Sequence, residues 1–124
     1  MDSVGWYKFN TNTGITGEEG PSDNNPGYGP HQVGSKGENS CNSLGLYDMS
    51  GNVEEWCYDL FGSKNITGSV TNQTGPSSAD PVCRIKRGGY WSSNADYCTV
   101  CSSKGVNPDS FSPGCGFRIV RSVE

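Results

Sequence analysis

The stretch Gly45-Leu-Tyr-Asp-Met-Ser-Gly-Asn-Val-Glu-Glu-Trp56 decides how the chain is read. It brings carboxylates, glycines and large aromatics into one short window. Asp48, Gly51, Val53 and Glu55 are spaced so that side-chain and backbone oxygens can converge on one point. Such a segment either wraps a hard cation or makes a tight glycine turn that feeds a half-buried strand.

Working outward, the residues on both sides are turn-rich. The chain has 124 residues, one domain's worth, of which 31% are hydrophobic and 18 are Gly. That is little apolar material for a thick regular core, yet 10% of the chain is aromatic, including Trp6, Trp56 and Trp91. A compact, loop-rich core of large residues is expected, not a disordered chain. Residues 1–9 read as a strand on the apolar positions Val4, Trp6 and Phe9. Residues 10–30 and 62–81 read as polar loops, and a short extended piece is expected around Val33. Strands are predicted for Val53 to Tyr58, for Arg84 to Trp91 with a break at the glycine pair, and for Gly116 to Arg121. Trp91 and Phe117 are assigned to the core, and Glu54 to solvent. The sequons at Asn65 and Asn72 read as polar loop residues.

Charge and composition exclude several function classes. The formal charge is -4, and the nine Lys and Arg residues form no basic run, which argues against nucleic acid as a partner. No apolar run reaches membrane-spanning length, so no membrane insertion is expected. The first residues lack the pattern of a signal peptide. Six cysteines, at positions 41, 57, 83, 98, 101 and 115, permit either disulfides or buried thiols, and compartment is not decided by sequence. The Cys98–Cys101 pair lacks a second such pair, and His31 is the sole histidine, so zinc and redox chemistry are disfavoured.

Three blocks in order carry a family resemblance: Gly45 to Trp56, then Arg87-Gly-Gly-Tyr-Trp91, then Gly116-Phe-Arg-Ile-Val-Arg121. Together they resemble the formylglycine-generating-enzyme (sulfatase-modifying-factor) family, with weaker agreement at Val4-Gly-Trp-Tyr7 and His31-Gln-Val-Gly34. The resemblance implies an α+β, C-type-lectin-like fold of formylglycine-generating-enzyme type, loop-rich with short strands. It also implies a single domain over residues 1–124 that matches the C-terminal half or so of a family domain.

The family holds enzymes and non-enzymes, so function has to come from site residues. Its oxidases bind copper through two cysteines after the Gly-Gly motif and oxidise a substrate cysteine. Cys98 matches the second of these, but Ser93 stands at the first. A hydroxyl does not replace a soft thiolate for Cu(I), so no copper and no oxidase activity are expected. The non-haem-iron branch needs histidines that this chain lacks. The resemblance further implies a structural calcium held by Asp48 and Glu55 with backbone oxygens at Gly51 and Val53. Calcium takes six to eight hard oxygens at about 2.3–2.6 Å. The alternative is that the two carboxylates satisfy backbone N–H groups of the turn.

Residues 90–115 contain no Glu, Gln or Met and a single Lys, and are rich in Ser, Asn, Asp, Tyr and Cys. That composition resembles the variable proteins of diversity-generating retroelements, in which adenine-directed mutagenesis diversifies a binding surface ahead of a terminal strand. Tyr with small polar residues suits adaptable recognition. The candidate ligand contacts are Tyr90, Ser92, Asn94, Asp96, Tyr97, Ser102, Ser103, Asn107, Asp109, Ser110 and Phe111, with Cys98 and Cys101 on the same surface. The expected function is non-enzymatic binding of a protein or other surface ligand; the sequence leaves location open, and a cell surface or virion is compatible with it. The competing expectations are a copper oxidase acting on a substrate cysteine and a structural or adhesive module.

Overall fold

A computed structural model describes residues 1–11, 28–62, 75–76 and 83–120. Four short strands form one mixed sheet: β1 (Glu54–Leu60), β2 (Arg84–Arg87), β3 (Ser103–Val106) and β4 (Cys115–Gly116), in the order β3-β2-β1-β4. β1 pairs antiparallel with β2, and β2 antiparallel with β3, whereas β1 and β4 run parallel. Two short 3-10 helices, Glu38–Ser40 and Ala95–Cys98, are the helical elements of the described residues. None of the described helices is long and apolar enough to cross a membrane. The sequons and most of the two polar loops lie outside the described residues.

β1 begins one residue later than the sequence suggests and runs on to Leu60. β2 stops at Arg87 because Gly88 and Gly89 both take left-handed backbone angles, φ 94 and 67. The glycine break was legible, but Tyr90 and Trp91 belong to the loop beyond it and not to the strand.

Two strand expectations are corrected. Residues 1–9 are a pair of turns, closed by Val4 N–H to Met1 O at 3.0 Å and Asn10 N–H to Tyr7 O at 3.0 Å. The Asn10 side chain accepts from Tyr7 N at 2.8 Å and donates to Gly5 O at 2.9 Å. These local bonds satisfy the backbone without a partner strand. At the other end, β4 covers only Cys115 and Gly116, and Phe117 is 77% exposed instead of core. The parallel ladder ends at the Glu55–Gly116 pair, so nothing in the described sheet covers the next residues. Val33, expected in an extended piece, is exposed within a turn.

The interior is correspondingly polar. Ile85 and Cys98 are the fully buried apolar side chains among the described residues, accompanied by buried Thr11, Ser40, Asp48, Asn52, Lys86 and Ser93. Asn52 is the hub. Its left-handed φ of 66 suits Asn better than most residues. Its amide exchanges bonds with the His31 backbone at 2.8 and 3.1 Å. Its own N–H reaches Trp6 O at 2.8 Å, and its carbonyl accepts Trp91 N–H at 2.9 Å. One residue of the Gly45–Trp56 block thus ties together three distant segments. Trp6 stacks on His31 with ring centroids 3.7 Å apart, while Trp91 meets Tyr28 edge-on at 4.4 Å.

Candidate functional site

A cleft of about 780 Å³ opens where the loop after Gly89 folds back over β2 and β3. That volume lies in the range of small-ligand sites. The loop is shaped by its own bonds. Ser93 N–H donates to Tyr90 O at 2.8 Å, and Ser93 Oγ accepts from Tyr90 N–H at 3.1 Å. Tyr97 N–H then donates to Asn94 O at 3.0 Å and opens the second 3-10 helix. Lys8 N–H bonds Ser93 O at 3.0 Å, which carries the N-terminal segment to the cleft. The Tyr28 hydroxyl lies 2.6 Å from Ser92 Oγ on the same wall.

Of the residues expected to contact ligand, Tyr90, Ser92, Asn94, Tyr97, Ser102 and Ser103 line this cleft. Asp96, Asn107, Asp109, Ser110 and Phe111 are exposed but stand outside the lining, with Phe111 93% exposed. Sequence reasoning missed Lys8, Tyr28, Glu54, Lys86, Arg87, Gly89, Ser93 and Lys104 as lining residues. Glu54, expected in solvent, is half-buried in the cleft wall. Lys86 sits at the centre of β2 beside Ile85, and burial of both shows a strand covered on both faces.

Cys98 corrects another expectation. It was placed on the recognition surface with Cys101, but it is fully buried and does not line the cleft, whereas Cys101 is exposed. A Cβ on Gly89 would sit 2.6 Å from its sulfur, so the glycine turn packs directly on the thiol. Burial, with the Glu54 carboxylate second, pushes the Cys98 thiol above its ordinary value. A neutral, enclosed thiol is a poor nucleophile and a poor metal ligand. No disulfide forms among the described residues.

The convergence point of the opening segment is held by a guanidinium. Arg118 Nε donates to both oxygens of Glu55 at 2.9 and 3.1 Å, and Nη2 donates to Glu55 Oε1 at 2.6 Å and to Tyr47 O at 2.8 Å. Asp48, with φ 54, accepts from Gly34 N–H at 2.8 Å through Oδ2 and keeps Oδ1 buried without a partner among the described residues. Gly51 spends its N–H on Gly88 O at 2.7 Å, and Val53 follows in the same turn. The residues were expected to surround calcium. Asp48 Oδ1 is left without a partner among the described residues, whereas Glu55, the second carboxylate of the expected set, is already paired with Arg118. No group of three or more His, Cys, Asp or Glu able to hold a metal ion occurs among the described residues.

Comparison with known proteins gives four findings. The family model described as the sulfatase-modifying factor enzyme 1-like domain matches residues 1–123. The chaperone protein LppX of Paenibacillus barcinonensis is 30% identical over 123 residues, covering 98% of this chain and 39% of its own length. The formylglycine-generating enzyme of Mus musculus is 35% identical over 80 residues, 62% of this chain and 21% of its own length. Among solved structures, Treponema denticola variable protein 1 superposes with a TM-score of 0.68 at 31% identity, covering 93% of this chain and 34% of that one. The chain therefore spans less than two fifths of the length of any of these three relatives.

Proposed function

The chain belongs to the sulfatase-modifying factor enzyme 1-like family, and on that premise we propose that it is a non-enzymatic, ligand-binding member with a C-type-lectin-like fold. Its recognition surface is the cleft beside the Gly88–Gly89 turn. The observation that carries the reading is the fate of the two positions matching the oxidase thiols. Ser93 supplies a hydroxyl to the cleft, and that hydroxyl is already bound to Tyr90 N–H. Cys98 is enclosed and neutral beneath the glycine turn. What the cleft offers a ligand is tyrosine, serine, asparagine and cations, a lining that binds and does not oxidise.

The solved neighbour is called a variable protein, and the composition of residues 90–115 suits the same type. We read the loop as the diversified part of a retroelement variable protein, with the Gly45–Trp56 turn and the Arg118 clasp as its constant scaffold. Sequencing the locus tests this. A reverse-transcriptase gene and a near-identical template copy of the 90–122 coding region, differing at adenines, are the expected result. A locus with neither refutes the variable-protein reading.

A further inference from the structure

We propose that the cleft is an anion site, seated on Lys86 and Lys104, and that its ligand presents a carboxylate. The inference deepens the binding reading above and rests on it. The chain carries 13 acidic against nine basic residues and is net negative. The cleft inverts that balance: Lys8, Lys86, Arg87 and Lys104 line it, with Glu54 as the single acid among the described residues. None of these four cations is in an ion pair among the described residues, where the pair formed is Arg118 with Glu55.

Register sharpens the point. Lys86 on β2 lies directly opposite Lys104 on β3, so both project from one face of the sheet. Like charges directly opposite each other destabilise a sheet. Lys86 is also only 2% exposed, and its ammonium rests on the Trp56 ring, 4.2 Å from the centroid. A ring face attracts a cation but does not neutralise it. Two facing lysines, one of them buried, leave positive charge uncompensated at the wall of an open cleft. An incoming anion completes that arrangement.

The chemistry favours a carboxylate over a phosphate. Arg87, the fork-shaped donor, has its Nη1 arm committed to the carbonyls of Val100 and Ser102 at 3.2 and 3.3 Å, which ties the fork to the loop. The N–H groups of Tyr90 and Ser93, which a phosphate nest would need, are already bonded within the loop. Glu54 stands in the same cleft and repels a dianion more than a singly charged group. The carboxylate belongs either to a free organic acid or to an Asp or Glu side chain at the tip of a protein partner.

Calorimetric titration of the full chain at low ionic strength tests the proposal, with propionate, a capped peptide carrying a single Glu, inorganic phosphate, single-stranded DNA and a panel of neutral disaccharides as probes. Propionate or the peptide is expected to bind, and which of them binds identifies the source. Binding should fall at least about tenfold in Lys86→Met and in Lys104→Glu, and weaken with salt. Lys36→Met, outside the cleft, should leave it unchanged. Lys104 is exposed, so its variant keeps the test valid if Lys86→Met does not fold. Tighter binding of phosphate or DNA, no binding of either carboxylate, or indifference to Lys104→Glu overturns the anion-site assignment. A neutral sugar that binds and is lost on Ser102→Trp overturns it too, while leaving the recognition reading intact.

Discussion

Gly51→Ala is expected to remove on the order of 4 kcal/mol of stability, enough to unfold much of a marginally stable protein. Gly51 has φ 81, and a Cβ built on it falls 2.1 Å from Trp6 O and 2.9 Å from Trp6 C. Those are backbone atoms, held in place because Trp6 O accepts the Asn52 N–H at 2.8 Å. The clash has no flexible side chain to absorb it. Relief requires the N-terminal segment to lift off the turn, which breaks the Asn52 hub and loosens the Gly88 carbonyl that Gly51 N–H holds. Gly45→Ala supplies the control. Its φ is 73, but a Cβ there meets nothing within 4 Å, so the cost should be about 1 kcal/mol. Urea unfolding followed by tryptophan fluorescence measures both. Equal effects in the two variants would show that backbone strain, and not the Trp6 contact, governs the turn.

Arg118→Met is expected to cost about 2–3 kcal/mol. The guanidinium and Glu55 are 27% and 23% exposed, so the pair is only partly screened by water. Its removal leaves the Glu55 carboxylate half-buried and unpaired, and frees the Tyr47 carbonyl as well. The double variant Glu55→Gln, Arg118→Met should recover part of the loss, because the orphaned charge goes with it. The same unfolding curves address calcium. If Arg118 is the counter-ion of Glu55, adding calcium to chelator-treated wild type leaves the midpoint where it is. A calcium-dependent rise in the midpoint would assign the segment to an ion instead.

Much of this architecture was legible in the residues, for physical reasons that differ by region. Gly51, Asn52, Gly88 and Gly89 advertise left-handed backbone, and the turn and the end of β2 follow from them. The apolar and aromatic positions around Trp56 and Ile85 mark the two central strands. Alternation misled at the ends. Val4-Gly-Trp and Phe117-Arg-Ile have strand periodicity, but no strand among the described residues receives them, and local turns or exposure result. The site was half legible. Tyr90, Ser92, Asn94, Tyr97, Ser102 and Ser103 come from one contiguous loop, so reading that loop found them. Lys86, Lys104, Lys8 and Glu54 reach the cleft through pairing register and a single backbone bond from Lys8 to Ser93. No local pattern encodes either. The burial of Cys98 depends on Gly89 packing against its sulfur, which spacing alone does not reveal.

Whether the cleft is a binding surface or an oxidase centre is tested most directly by competition titration with Cu(I) against a chromogenic chelator under reducing conditions. Wild type and Ser93→Cys should be measured side by side. The account predicts no stoichiometric Cu(I) uptake by wild type, because Ser93 offers no thiolate and the Cys98 thiol is enclosed and protonated. Ser93→Cys serves to show whether a second sulfur alone is enough to create a site. Tight binding of one Cu(I) per wild-type chain, abolished by Cys98→Ser, would contradict the account and return the chain to the copper oxidases.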